Sequence, residues 1–181
     1  MLATRLFPPA VEARLKSGFD AILNPADQVH DGATLVRLAE DCDGVMCAAG
    51  DALNAATIEA LPASVKIIAT FSVGYEHVDV GAAGRRGIVV TNTPDVLTDA
   101  TADIALLCLL GAARRAQEAE AVLRQRQWTG WAPTQFMGTH LGGKRLGIFG
   151  MGRIGQATAD RARAFGMEIH YSNRSRLPAS A

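Results

Sequence analysis

The six residues Gly150-Met151-Gly152-Arg153-Ile154-Gly155 constrain this chain more than any other stretch. They follow an extended apolar run, Arg145–Phe149, and they open a helix-like run, Arg153–Phe165. A second strand-like run, Met167–Ser172, comes next. Strand, glycine turn, helix and strand in that order predict a βαβ unit, whose two strands must lie parallel. Each glycine has its own reason. Gly150 permits the tight turn, Gly152 lets a pyrophosphate approach the backbone, and Gly155 lets the helix pack closely on its strand. The helix N-terminus then offers free N–H groups and a partial positive charge to phosphates. A glycine turn of this spacing also arises for steric reasons alone. The complete βαβ context favours a dinucleotide site over that steric reading, with Arg153 and Ile154 inside it.

The end of the second strand bears on which dinucleotide. An Asp or Glu about 20 residues beyond the first glycine holds the ribose 2′-OH of NAD. Here the residues are Asn173-Arg174-Ser175-Arg176, and Asn173 stands where the acid is expected. A carboxylate would repel a 2′-phosphate, whereas Arg174 and Arg176 favour charge-assisted hydrogen bonds to one. The expected coenzyme is NADP, with NAD possible. The alternative is two arginines on a solvated loop.

Upstream, short β-like runs alternate with helix-like runs. Leu2–Phe7 is extended, Pro8-Pro9 opens a helix, and Phe19–Leu23 is a second strand closed by Asn24-Pro25. Proline at a helix start costs nothing, because its missing N–H has no partner there. Helices over Ala33–Glu40, Asn54–Leu61 and Val78–Arg85 separate strands at Gly44–Ala48, Val65–Phe71 and Gly87–Thr91. The continuous apolar run Val65–Phe71 predicts a strand buried on both faces. This alternation implies an α/β fold with a parallel sheet and helices on both of its faces. Thr98-Asp99 then caps a single long helix to about Arg126, the natural joint between two domains, 1–97 and 98–181.

Composition excludes several classes. The 181 residues are 49% hydrophobic and 20% charged, which suits a core-forming chain and not a disordered one. Zero formal net charge argues against nucleic-acid or membrane capture by the whole protein. There are 12 acidic against 7 basic residues up to Leu97, and 6 against 11 after it. That split reflects either solvated surfaces or an anionic partner for the second half. No apolar run reaches the length of a membrane span, and Met1-Leu2-Ala3-Thr4-Arg5 does not read as a secretory leader. Cys42, Cys47 and Cys108 read as buried thiols of a cytoplasmic protein, with no metal site.

Four stretches, in order and spacing, resemble the N-terminal part of the D-isomer-specific 2-hydroxyacid dehydrogenases, and most nearly the glyoxylate/hydroxypyruvate reductase branch. They are Phe71-Ser72-Val73-Gly74-Tyr75-Glu76-His77-Val78-Asp79, Asn92 to Asp103, Trp128-Thr129-Gly130-Trp131, and the Gly150–Gly155 turn. The resemblance covers essentially the whole chain. It implies a flavodoxin-like substrate domain joined by the long helix to a Rossmann NAD(P)-binding domain of which only the first part is present. It also implies reduction of a small 2-keto acid to a D-2-hydroxy acid by NAD(P)H.

The resemblance assigns roles residue by residue. The amides of Val73 and Gly74 hold the substrate carboxylate, and Ser72 adds a hydroxyl donor, although the residues alone read as an ordinary strand-end turn. Thr101 lies near the nicotinamide, although a Thr there also suits a helix cap. Trp131 reaches across a homodimer interface towards the partner's substrate, or else staples its own loop. The family's catalytic arginine, glutamate and histidine come from segments downstream of the second Rossmann strand, and no position here matches them. His30, His77, His140 and His170 are therefore expected to be surface or packing residues, and the chain alone is expected to be inactive. The expectation is part of a longer enzyme, and the alternative is a non-catalytic NAD(P)-binding or dimerisation module.

Overall fold

The computed structural model describes residues 1–177, and two compact units divide between Val96 and Leu97. The first unit is built on β1 (Leu2–Ala3), β2 (Gly44–Cys47), β3 (Ile67–Thr70) and β4 (Val89–Thr91). All pairings are parallel, in the order β1-β2-β3-β4. The expected strand at Phe19–Leu23 is reduced to one parallel bridge, Ile22 to Leu2, outside β1.

Four helices connect these strands: α1 (Pro9–Gly18), α2 (Gly32–Leu38), α3 (Ala55–Ala60) and α4 (Val80–Arg85). Three of them begin in the same way. Asp31, Asn54 and Asp79 each accept a hydrogen bond from the backbone N–H three residues on, at 2.8, 3.0 and 2.8 Å. Each such cap stabilises its helix by about 1 kcal/mol. The main core lies on one side of the sheet, where Val45, Cys47 and Ile68 meet Leu35, Ile58 and Ala82. The other side carries a smaller cluster under α1, with Ala3, Phe7 and Leu15. Ile67, Phe71 and Val89 stay exposed, so β3 is not buried on both faces as its apolar run predicts. An apolar run records what a strand can bury, not how many helices lie on each face.

The second unit contains α5 (Thr98–Ala113), α6 (Ala116–Arg124), β5 (Arg145–Phe149), α7 (Arg153–Ala164) and β6 (Glu168–Ser172). β5 and β6 pair in parallel, from Arg145 with Glu168 to Phe149 with Ser172. The expected single long helix is two helices. Arg115 sits at φ 54°, in the left-handed region that breaks a helix. The Ala113 carbonyl accepts from the Thr139 amide at 2.7 Å instead of continuing the helical ladder. Gly138 approaches so closely that a Cβ on it would lie 2.4 Å from that same oxygen.

Neither Thr98 nor Asp99 caps α5, because the cap position is Leu97. Asp99 and Asp103 instead pair with Arg161 of α7 at 3.0 and 2.6 Å, one turn apart on α5. Leu106, Leu141, Ala162 and Met167 form this unit's core, and Leu110, Leu146 and Ile169 pack against it. Ile104 and Leu107 face outward at 57% and 64% exposure, and Phe149 is 92% exposed. Cys42 and Cys47 are buried as expected, but Cys108 shares the outward side of α5 and is exposed. Among the described residues no helix is long and apolar enough to cross a membrane.

Candidate functional site

The loop after β3 is held through its carbonyls. The Ser72 carbonyl accepts from the Thr93 amide at 3.0 Å, and the Val73 carbonyl accepts from Asn92 Nδ2 at 2.8 Å. The Gly74 carbonyl accepts from Ser72 Oγ at 2.6 Å. Three consecutive carbonyls are thus committed to partners in the protein. No such partner is seen for the Val73 and Gly74 amides among the described residues. Successive amides left without acceptors at a strand end are what an anion requires.

Two details alter the expected picture. The Ser72 hydroxyl hydrogen is spent on the Gly74 carbonyl, so Ser72 closes the turn rather than presenting a free donor. The Glu76 carboxylate folds over Gly74, where a Cβ would meet its Oε2 at 2.4 Å. Asn92, Thr93 and Thr70 carry the loop, yet none stands out in the sequence as a site residue. The available signal is their position, a polar residue at or just past the end of a parallel strand.

His77 also contributes, through Nε2 at 2.8 Å from Thr70 Oγ1. Cys47 lies beside Thr70, and burial pushes its thiol up to about 12, so it stays protonated. Nearby, Asp51 is 3% exposed. Its Oδ2 accepts from Thr4 Oγ1 at 2.5 Å and from the Ala48 amide at 2.8 Å. Asp51 Oδ1 has no partner among the described residues.

In the second unit the three glycines of the turn are distinct in space. Gly150 is at φ +94°, a conformation that only glycine adopts readily. A Cβ on Gly155 would lie 2.3 Å from the Gly150 carbonyl oxygen, so α7 closes on its own turn only because that Cβ is absent. A Cβ on Gly152 would meet nothing within 4 Å. Its hydrogen faces open space at the cap of α7, the room a pyrophosphate needs beside the helix N-terminus. These features fit a dinucleotide.

The Gly150 amide donates to the Ser172 carbonyl at 2.9 Å. The turn and Asn173-Arg174-Ser175 therefore occupy the same end of the β5–β6 pair, and all three of those side chains are exposed. Thr101 is exposed in the first turn of α5. Trp131 lies in the loop between α6 and β5 and is 81% exposed. His170 does have a carboxylate partner, Glu168 Oε1 at 2.7 Å, but both side chains are on the exposed side of β6. No cluster of metal-ligating side chains occurs among the described residues.

With fold and site in view, the class follows. Residues 4–174 match the family profile of the D-isomer specific 2-hydroxyacid dehydrogenase, catalytic domain, and the chain belongs to that family. It is 39% identical to the glycerate dehydrogenase of Hyphomicrobium methylovorum over 99% of its own length and 56% of that protein. A D-isomer specific 2-hydroxyacid dehydrogenase structure from Polaromonas sp. JS6 66 superposes with a TM-score of 0.92 at 47% identity, over 99% of this chain and 56% of the other. An NADPH-dependent glyoxylate/hydroxypyruvate reductase of Sinorhizobium meliloti, solved with NADP and malonate, gives 0.79 at 36% identity, over 98% and 54%. The chain spans about half the length of the curated relatives it matches.

Proposed function

We propose that this chain is the substrate domain, 1–97, and the beginning of the coenzyme domain, 98–181, of an NAD(P)H-dependent oxidoreductase. In this reading the enzyme reduces a small 2-keto acid of the glyoxylate or hydroxypyruvate type to a D-2-hydroxy acid. The observation that carries the reading is the loop whose carbonyls at Ser72, Val73 and Gly74 are all engaged while the amides of Val73 and Gly74 are left for a carboxylate. Counting the Ile22 bridge, the strands run 2-1-3-4-5 in chain order, which supports the flavodoxin-like assignment of this domain.

On the coenzyme side, β5, α7 and β6 are read as the start of a Rossmann domain. Gly150, Gly152, Arg153, Ile154 and Gly155 would hold the pyrophosphate. Asn173, Arg174 and Ser175 would meet the adenosine ribose and its 2′-phosphate, which favours NADP over NAD. Thr101 is assigned to the nicotinamide side. When bound, the nicotinamide supplies the hydride. The chain's own part is to orient the acid by its carboxylate and to fix the phosphates at a helix N-terminus.

Proton donation and the arginine that orients the keto group are assigned to segments of the complete enzyme downstream of β6. The enzyme is read as a cytoplasmic homodimer, with exposed Trp131 and the outward side of α5 at the interface. The test is a protein extended to the relatives' full length, supplied with glyoxylate or hydroxypyruvate, with NADPH consumption followed by absorbance. Reduction to the D-isomer is expected. No reduction, together with undiminished NADPH binding, would favour a binding module instead.

A further inference from the structure

We propose that His77 is a positioning residue for the Val73–Gly74 loop, acting as an Nε2–H donor at the head of a one-way hydrogen-bond chain through Thr70 and Ser72 to the Gly74 carbonyl. This rests on the reading of those amides as the carboxylate site.

Hydrogen counting sets the direction. Ser72 Oγ and the Gly74 carbonyl oxygen are 2.6 Å apart, and a carbonyl has no hydrogen, so the Ser72 hydrogen lies between them. Ser72 has no second hydrogen for Thr70 Oγ1, which stands 2.7 Å away, so Thr70 must donate there. Thr70 in turn has none left for His77 Nε2 at 2.8 Å. The imidazole must therefore carry a hydrogen on Nε2 and donate it. Any other arrangement sets two lone pairs against each other at hydrogen-bonding distance.

The chain's final acceptor is the carbonyl that closes the Val73–Gly74 turn. The same loop is held from its other side by Asn92 and Thr93. Without the His77 donor, the Thr70 hydroxyl is free to turn towards the vacated side. Ser72 then gains Thr70 as a competing acceptor, and its hold on the Gly74 carbonyl weakens. His77 touches neither amide, so its effect passes entirely through this chain.

The test uses the 181-residue chain labelled with 15N. Long-range 1H–15N correlation of the neutral ring reports which His77 nitrogen is protonated. Oxalate, a dicarboxylate probe, is titrated while the Val73 and Gly74 amide signals are followed. His77 is expected to be the Nε2–H form, and oxalate is expected to shift both amides. His77→Leu and Thr70→Val should bind oxalate about two- to tenfold more weakly, the effect of about one net hydrogen bond. His77→Gln and Thr70→Ser keep the donors and should restore most of the binding.

Protonation on Nδ1 alone overturns the proposal, and it is read on the unaltered protein whether or not a variant folds. Oxalate binding to His77→Leu at unaltered strength also overturns it, and leaves the carboxylate reading standing. If oxalate leaves both amides unmoved in the unaltered chain, the carboxylate reading fails and the proposal falls with it.

Discussion

Asn92 Nδ2 donates to the Val73 carbonyl at 2.8 Å, across 19 residues of chain and from the end of one strand to the loop beyond its neighbour. Replacing Asn92 with Ala leaves that carbonyl without its donor, at a cost of about 0.5–1.5 kcal/mol. The expected result is a chain that folds, with the Val73 and Gly74 amide resonances broadened and oxalate bound several-fold more weakly. Asn92→Asp should be worse, because a carboxylate would then face a carbonyl oxygen. Unchanged amide resonances in Asn92→Ala would show that the Thr93 and Ser72 bonds suffice.

Gly155 and Gly152 should fail in opposite ways. Ala at 155 drives a Cβ to 2.3 Å from a backbone oxygen, where nothing flexible can yield. Overpacking of this kind costs about 1–3 kcal/mol, visible as a lower urea midpoint. Ala at 152 meets open space, so stability should change by no more than about 0.5 kcal/mol. NADPH binding, measured by fluorescence, should nevertheless weaken about tenfold as the phosphate loses its close approach. Equal loss of stability in both variants would contradict this division.

Asp27 provides a pH dependence with a defined sign. Hydrogen bonds from the Arg5 guanidinium and then the Leu6 amide hold its carboxyl down at about 2, against an ordinary value of 3.8. A depressed carboxyl stabilises the fold above its unfolded value, and the contribution is lost as the pH falls through the folded one. The Arg5–Asp27 contact should therefore be intact at pH 5 and released between about pH 4 and pH 2. Carboxyl 13C titration should place the midpoint near 2, and Arg5→Gln should move it up towards the ordinary value.

Coenzyme choice is tested at the end of β6. In a protein of the relatives' full length, Asn173→Asp combined with Arg174→Gln should reverse a preference for NADPH. A hydrogen bond to a charged group contributes about 1.5–3 kcal/mol, so a shift of about tenfold to a hundredfold in relative kcat/KM is expected. Equal use of both coenzymes before substitution would remove the assigned role of Arg174.

Much of this architecture is legible in the residues alone, because its causes are local. The turn Gly150–Gly155 needs no Cβ at the positions where positive φ or backbone contact forbids one, and that requirement shows in the sequence as glycine. The alternation of β-like and helical runs reflects side-chain periodicity within each segment, and it leads directly to parallel strands. The division of the long helix is not legible, because nothing between Thr98 and Arg126 forbids helix. Its break at Arg115 goes with Thr139, whose amide takes the Ala113 carbonyl from outside, and with Gly138, whose missing Cβ leaves room for that approach.

The candidate site divides in the same way. Val73 and Gly74 can be named from the sequence only through the family resemblance, since a glycine at a strand end by itself reads as an ordinary turn. That Asn92 and Thr93 hold the Val73 and Ser72 carbonyls, and that Thr70, Ser72 and His77 align with a single direction of donation, depends on the folded chain. So does the exposure of Cys108 and of the β3 face at Ile67 and Phe71. Sterics and periodicity act between neighbours in the chain and are written residue by residue. Hydrogen-bond partnership and burial depend on groups brought together from distant segments, and only the tertiary structure decides them.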